Sequence, residues 1–238
     1  MSGWGAKTPV KRGEAPASRR DDVSAFLEKV QAMPNPGKAG ERGRLVFAMD
    51  ATMSRQPTWD RAMAIQSEMF SETARIGGLD VQLVYFRGYD ECRASKWVNQ
   101  PAALARLMTR VDCQGGHTQI GRVLSHVKAE HARARINAVV YVGDAMEEVI
   151  DALCAKAGEI GILGVPIFMF QEGNDGNTSY AYKEIARLTR GAYFKLDSSS
   201  ARMLAELLAA VAVYATGGRA ALQARPGSAA ALLLEKLA

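Results

Sequence analysis

The chain has 238 residues, 48% of them hydrophobic, and carries 30 Lys and Arg against 25 Asp and Glu for a formal charge of +5. That is enough to bury a substantial core as one α/β domain with terminal extensions. Three widely spaced cysteines (Cys92, Cys113, Cys154) exclude the disulfide framework of a small secreted domain, and no apolar run approaches the roughly 20 residues that cross a bilayer. The N-terminus has positive charge without the apolar segment of a secretory signal, so a reducing, cytoplasmic setting is expected.

Residues 1–20 mix Gly, Pro, Ser, Lys and Arg without apolar periodicity, as a disordered leader does. The first 44 residues hold nine Lys and Arg against five Asp and Glu, so most of the net charge sits there. Such a leader suits an acidic partner, nucleic acid or a membrane surface. The plainer reading is a solvated tail, and no nucleic-acid partner is expected. Val23, Phe26, Leu27 and Val30 fall on one helical face with Asp21 and Asp22 at its start, and Met33-Pro-Asn-Pro-Gly37 stops that helix. The expected division is leader 1–20, short helix and linker 21–42, main domain 43–216, and C-terminal linker and short helix 217–238.

From Arg44 onward, short apolar runs alternate with amphipathic helices, the pattern of a mostly parallel sheet covered on both faces. The strands are expected at 45–50, 81–86, 138–143, 166–170 and 192–196, and the helices at 58–76, 101–110, 119–134, 146–160, 178–190 and 200–215. Glu91 to Val98 follows Arg87-Gly-Tyr-Asp90 and reads as an antiparallel edge strand. After Gly217-Gly218 a last helix, Ala229 to Leu237, presents Leu232, Leu233 and Leu237 as an apolar stripe. It is too short to stand alone and is expected to dock on the domain, with partner binding as the alternative.

The chemistry concentrates in Leu45-Val-Phe-Ala-Met-Asp-Ala-Thr-Met-Ser54, a buried run that ends in Asp-x-Thr-x-Ser. Asp50, Thr52 and Ser54 place a carboxylate and two hydroxyls where the strand leaves the core, a donor set for a small hard cation such as Mg²⁺ or Mn²⁺. Gly115-Gly-His-Thr118 offers a further hydroxyl before a helix, and Val139-Val-Tyr-Val-Gly-Asp144 is a second apolar run ending in a carboxylate. Ligands of open parallel sheets bind at the carboxyl ends of the strands, so Asp50 and Asp144 are expected at one edge. Two carboxylates and several neutral hydroxyls leave a bound cation electrophilic, with a position open to water or to an incoming carboxylate.

Asp50-x-Thr52-x-Ser54, Thr118 in a Gly-Gly-x-Thr loop and Asp144 after a strand together resemble the von Willebrand factor A (vWA) domain and its metal-ion-dependent adhesion site. The resemblance covers about residues 43–215 and includes Gly161-Ile-Leu-Gly-Val-Pro-Ile-Phe-Met-Phe170, similar to that family's fifth-strand segment. It implies a three-layer α/β, Rossmann-like fold, a mostly parallel sheet with one antiparallel edge strand, and a Mg²⁺-dependent surface that captures an acidic residue of a protein partner. By the family motif, Ser54 and Thr52 would ligate directly, Thr118 directly or through water, and Asp50 and Asp144 largely through water. Bacterial stand-alone domains of this kind often work with AAA-class ATPases or in stress-response assemblies. Thr52 stands where the family more often has Ser, which keeps the hydroxyl. Gly143-Asp144-Ala145-Met146 replaces the usual Thr-Asp-Gly and bears on how Asp144 is presented.

Other constellations are weaker. Cys113 and His117 flank Gln-Gly-Gly before a helix, as a nucleophile and its base would, but the glycines explain themselves as a flexible lead to Thr118. His126 and His131 are five apart, not four, and read as surface residues. Nucleotide-binding glycine motifs are lacking. A phosphatase or hydrolase using Asp50 would find acids in Asp144, Glu147 and Glu148 but no obvious lysine, and a metal-free module acting through its termini is the third alternative. Trp59 reads as core under its loop, while Arg55, Tyr89, Asp90 and Tyr180 are candidates for the border of the crevice.

Overall fold

The computed structural model describes residues 42–52, 78–196, 208–217 and 221. The leader, the helix at 21–30, Ser54, Arg55, Trp59, the helix at 58–76, the first part of the 200–215 helix and the last helix at 229–237 lie outside the described residues. The strands are β1 (Gly43–Asp50), β2 (Leu79–Arg87), β3 (Glu91–Ala94), β4 (Ala138–Gly143), β5 (Ile167–Glu172) and β6 (Ala192–Leu196). The helices are α1 (Pro101–Met108), α2 (Ile120–Arg133), α3 (Ile150–Ile162), α4 (Gly176–Leu188) and a fifth that includes residues 208–217. The six strands form one sheet in the order β3-β2-β1-β4-β5-β6, parallel throughout except for the edge pair β2–β3.

The unbroken apolar run of β1 follows from its central place, with β2 on one side, β4 on the other and a helical layer over each face. Side chains alternate across a strand. Leu45, Phe47 and Met49 therefore enter the core with Leu104 and Met108 of α1 and with Leu208 and Val211, while Val46 and Ala48 enter the core with α2, α3 and α4. In α2 the buried Ile120, Val123, Leu124 and Val127 repeat at helical spacing, so one stripe of the helix lies on the sheet. Among the described residues no helix is long and apolar enough to cross a membrane.

Three local expectations change. The edge strand expected over 91–98 pairs regularly only to Ala94, then rejoins β2 at a single bridge between Val98 and Val81. Ser95 interrupts it: its hydroxyl accepts the Leu83 N–H at 3.0 Å and donates to the Lys96 carbonyl at 2.7 Å. The helix expected from 146 begins at Ile150, because Glu147 and Glu148 turn back to the loop before α2. His126 and His131 are half-buried, not free surface groups. One ring meets Gln82 Oε1 at 2.9 Å, the other accepts the Ile136 N–H at 3.2 Å, and burial lowers both pKa values.

Glu130 ties the edge of the sheet to α2. It accepts the Trp97 indole N–H at 3.0 Å and an Arg133 N–H at 2.6 Å, and the Arg44 guanidinium lies 4.0 Å over the Trp97 ring. The indole donor, joined by Arg133 and opposed by burial, holds its carboxyl below the usual range. Such a carboxyl adds stability above its unfolded pKa, about 4.3, and loses it as the pH falls through the lower folded value. Glu130→Gln is therefore expected to flatten the acid limb of a melting-temperature profile below about pH 4.3; an unchanged limb contradicts this role. Phe47→Ala, at the sheet centre, is expected to cost about 3–5 kcal/mol in urea unfolding.

Candidate functional site

The connections diverge at β1: β2 lies on one side and β4 on the other, which opens a crevice at the carboxyl ends of β1 and β4. Met49 pairs with Val142, so Asp50 and Asp144 leave adjacent strands at the same edge, one residue out of step. Asp50 is 1% exposed, and its Oδ1 accepts the Thr52 N–H at 2.7 Å, a turn that fixes the carboxylate and sends Thr52 back to the same crevice. Ala51 clamps the strand end: its N–H donates to Phe86 O at 2.9 Å and its carbonyl accepts the Gln114 N–H at 3.0 Å.

The Gln114 contact starts the loop that carries Thr118. The His117 N–H donates to Gly88 O at 3.1 Å, and a Cβ built on Gly116 would stand 2.0 Å from that oxygen. Gly116 thus serves a close approach of two backbones; flexibility is not what the position requires. Thr118 is then held from the far side of the crevice. Its N–H donates to Glu147 Oε2 at 3.0 Å, its Oγ1 accepts the Glu147 N–H at 3.0 Å, and His117 Nδ1 meets the same Glu147 oxygen at 3.0 Å. The Glu148 carboxylate accepts the N–H groups of Ile120 (2.5 Å) and Gly121 (2.8 Å), the first residues of α2. Burial pushes the Glu148 carboxyl up, against the pull of those donors and of Lys156.

The unusual Gly143 before Asp144 has a packing cause. A Cβ there would lie 2.6 Å from the Tyr182 hydroxyl and 2.9 Å from the Tyr141 ring. The two rings meet edge to face at 5.4 Å, and Tyr182 donates to Ala145 O at 3.0 Å, which fixes the turn just past Asp144. Burial raises the Tyr141 pKa well above the ordinary phenol value, so the ring stays neutral.

Asp50, Thr52, Thr118 and Asp144 line one pocket of about 220 Å³, with Glu147 and the backbone of Gly115, Gly116 and Ala145. The structure therefore gathers four of the five expected donors, and Ser54 lies outside the described residues. Glu147 and Glu148 fall within the helix expected from 146; the signal that distinguishes them is two adjacent acids three and four residues after a strand-end aspartate. The donor set is oxygen only, as hard cations prefer. Among the described residues no group of three or more His, Cys, Asp or Glu side chains gathers, so hydroxyl oxygens would have to complete any ligand set here. Thr118 Oγ1 spends one lone pair on the Glu147 N–H, which leaves the other for a cation.

The remaining candidates separate. Cys113 is buried in the core that holds α1, and none of the three cysteines forms a disulfide among the described residues. Tyr89 is 73% exposed and stands edge-on to His117 at 5.1 Å, and neither ring lines the pocket. Asp90 pairs with Arg122 at 2.6 Å, and Tyr180 is exposed on α4; neither lines the pocket.

No protein-family model and no curated protein matches the sequence. Solved structures do match. A von Willebrand factor type A protein from Catenulispora acidiphila superposes with a TM-score of 0.59 at 17% identity over 74% of this chain. The SpRpn10 VWA domain gives 0.56 at 11% identity over 70% of this chain. This chain has the von Willebrand factor A fold. The human COPII-coat protein Sec24c, with a TM-score of 0.53 at 14% identity over 72% of this chain, shares it. The matched part spans 43% of the Catenulispora protein, 94% of the SpRpn10 domain and 32% of Sec24c.

Within this vWA sheet, Gly116→Ala should force Gly88 and Gly116 apart. The expected result is a loss of about 1–3 kcal/mol and faster amide exchange at His117 and Thr118. Gly115→Ala, where an added Cβ meets nothing within 4 Å, should stay within about 0.5 kcal/mol of the unaltered chain. Equal effects at the two glycines contradict the close-approach argument.

Proposed function

We propose that the chain is a non-enzymatic, cytoplasmic protein-interaction module that holds Mg²⁺ or Mn²⁺ with Asp50, Thr52, Ser54, Thr118 and Asp144, and through it binds an Asp or Glu side chain of a protein partner. The supporting observation is the convergence of donors from three separate loops on one pocket at the sheet edge. The vWA fold, typically a protein-interaction module, agrees with it. An AAA-class ATPase or a stress-response assembly is the context that the family resemblance offers for such a partner.

The work of each residue follows from its contacts. Asp50 supplies charge from a position fixed by the Thr52 N–H, and Asp144 supplies the second charge from the neighbouring strand. Thr52 and Thr118 supply neutral oxygens, so the protein's own ligands leave a divalent charge under-compensated. A cation held by Asp50, Thr52, Ser54, Thr118 and Asp144 would supply the Lewis acidity that attracts a partner's carboxylate. Val139 to Val142 and Leu45 to Met49, packed on both sides, keep the floor of the site rigid.

Melting curves test the reading. Mg²⁺ and Mn²⁺ should raise the melting temperature relative to EDTA, by the equivalent of about 2.7 kcal/mol at a hundredfold excess over the dissociation constant. Asp50→Ala should abolish the shift and still fold, Thr118→Ala should weaken it less, and a generic phosphatase assay should stay blank. Partner capture from native lysate should need Mg²⁺; equal capture in EDTA contradicts the mechanism even if the ion binds.

A further inference from the structure

Thr118 and Glu147 hold each other at two points. The Thr118 N–H donates to Glu147 Oε2 at 3.0 Å, and the Glu147 N–H donates back to Thr118 Oγ1 at 3.0 Å, so a ring closed by two hydrogen bonds ties the loop before α2 to the loop after β4. We infer that Glu147 is a positioning residue for the site: it acts through Thr118, fixing the backbone and the hydroxyl of that residue relative to Asp144, and it does so as a hydrogen-bond acceptor, not as a charge offered to the ion. The inference rests on the metal-binding reading and adds a residue that the proposed ligand set does not include.

Three observations carry it. Thr118 is buried and lies just ahead of Gln119, the N-cap of α2, so the helix offers its N–H no acceptor and another segment must; Glu147 Oε2 is that acceptor. The chain leading to Thr118 has few anchors of its own. A Cβ on Gly115 would meet nothing within 4 Å, and the nearest backbone bond ahead of Thr118 is the His117 N–H on Gly88 O at 3.1 Å. Glu147, in contrast, reaches from a fixed place: Tyr182 donates to Ala145 O two residues earlier, and His117 Nδ1 meets Glu147 Oε2 at 3.0 Å. Asp144 and Thr118, distant in the chain, are thereby related by one short path, along the backbone from Asp144 to Glu147 and then across the ring. One lone pair of Thr118 Oγ1 is committed to the Glu147 N–H, which holds the oxygen in the wall of the pocket with its other lone pair left for an ion. Glu147 Oε1 makes no hydrogen bond among the described residues, so the positioning falls on Oε2 alone. Outer partners of this kind change metal affinity without ligating.

The test is Mg²⁺ binding by calorimetry on the full chain, with amide hydrogen exchange in EDTA as a readout that needs no metal. Glu147→Ala removes the acceptor but keeps the N–H of residue 147. It should raise the Mg²⁺ dissociation constant about 10–100-fold and speed exchange of the Thr118 amide in EDTA about tenfold. Glu147→Gln has a carbonyl oxygen to stand in for Oε2, and should bind Mg²⁺ within about threefold of the unaltered chain, with the Thr118 amide still protected. In a Thr118→Ala background, Glu147→Ala should add nothing further to the dissociation constant, because no hydroxyl remains to be placed. If Glu147→Ala fails to fold, Glu147→Leu, similar in bulk and without an acceptor, carries the same readout. An unchanged dissociation constant in the folded Ala or Leu variant, a Gln variant that loses as much as Ala, or losses from Thr118→Ala and Glu147→Ala that simply add, each overturns the inference while leaving the metal site standing. Failure of the unaltered chain to bind Mg²⁺ or Mn²⁺ overturns the metal reading and this inference with it.

Discussion

Everything polar at the candidate site depends on where β1 stops being covered. From Leu45 to Met49 the strand has hydrogen-bonded neighbours on both sides and helices over both faces, and none of these residues is more than 1% exposed. A carboxylate inside that stretch would carry a desolvation penalty of several kcal/mol. Asp50 is as buried, at 1% exposed, but stands where the strand pair β1–β4 ends and the connections part to opposite sides, so the Thr52 N–H reaches its Oδ1 and its side chain lines the pocket. The crevice is therefore a product of strand order, and two neighbouring strands ending at one edge bring Asp50 and Asp144 together without any contact between distant loops being specified separately.

The loops then convert proximity into geometry. Asp50 is fixed by the backbone two residues on, Ala51 grips both β2 and the Thr118 loop, and Gly116 lets that loop lie against Gly88. From the other side, Tyr182 pins Ala145, while Glu147 and Glu148 hold Thr118 and the first turn of α2. These constraints act from different elements on the same few residues. Charge placement follows: the carboxyl groups of Asp50, Glu147 and Glu148 accept backbone N–H groups and His117 meets Glu147, an arrangement that resists rearrangement more than isolated surface ion pairs would.

The sheet was legible in the sequence because its physics is repetitive. A parallel, doubly covered strand must read as a continuous apolar run, and the runs at 45–50 and 138–143 do, so the sequence alone puts Asp50 and Asp144 at strand ends. The Thr118 loop was legible from Gly-Gly ahead of a helix. Long-range pairing was not. Glu147 and Glu148 satisfy every local rule for a helical first turn, yet their hydrogen bonds go to residues 27 to 30 positions earlier, and periodicity carries no record of such a partner. Gly143 is similar: its reason is the Tyr141–Tyr182 pair, one ring from β4 and one from α4. His126 and His131 read as surface by spacing but are half-buried, because Gln82 and Ile136 approach from other segments. Ser95 ended a strand by offering its hydroxyl to the ladder, a choice that its strand-like neighbours conceal.

The most direct measurement is a Mn²⁺ titration of ¹⁵N-labelled protein followed by paramagnetic line broadening. One ion held between the three loops predicts that the amides of Thr52, Thr118 and Ala145 broaden together and first, while Ile162 and Leu163, at the opposite edge of the sheet, keep their line widths. Broadening confined to one of the loops, or centred elsewhere on the surface, contradicts a shared site at the ends of β1 and β4.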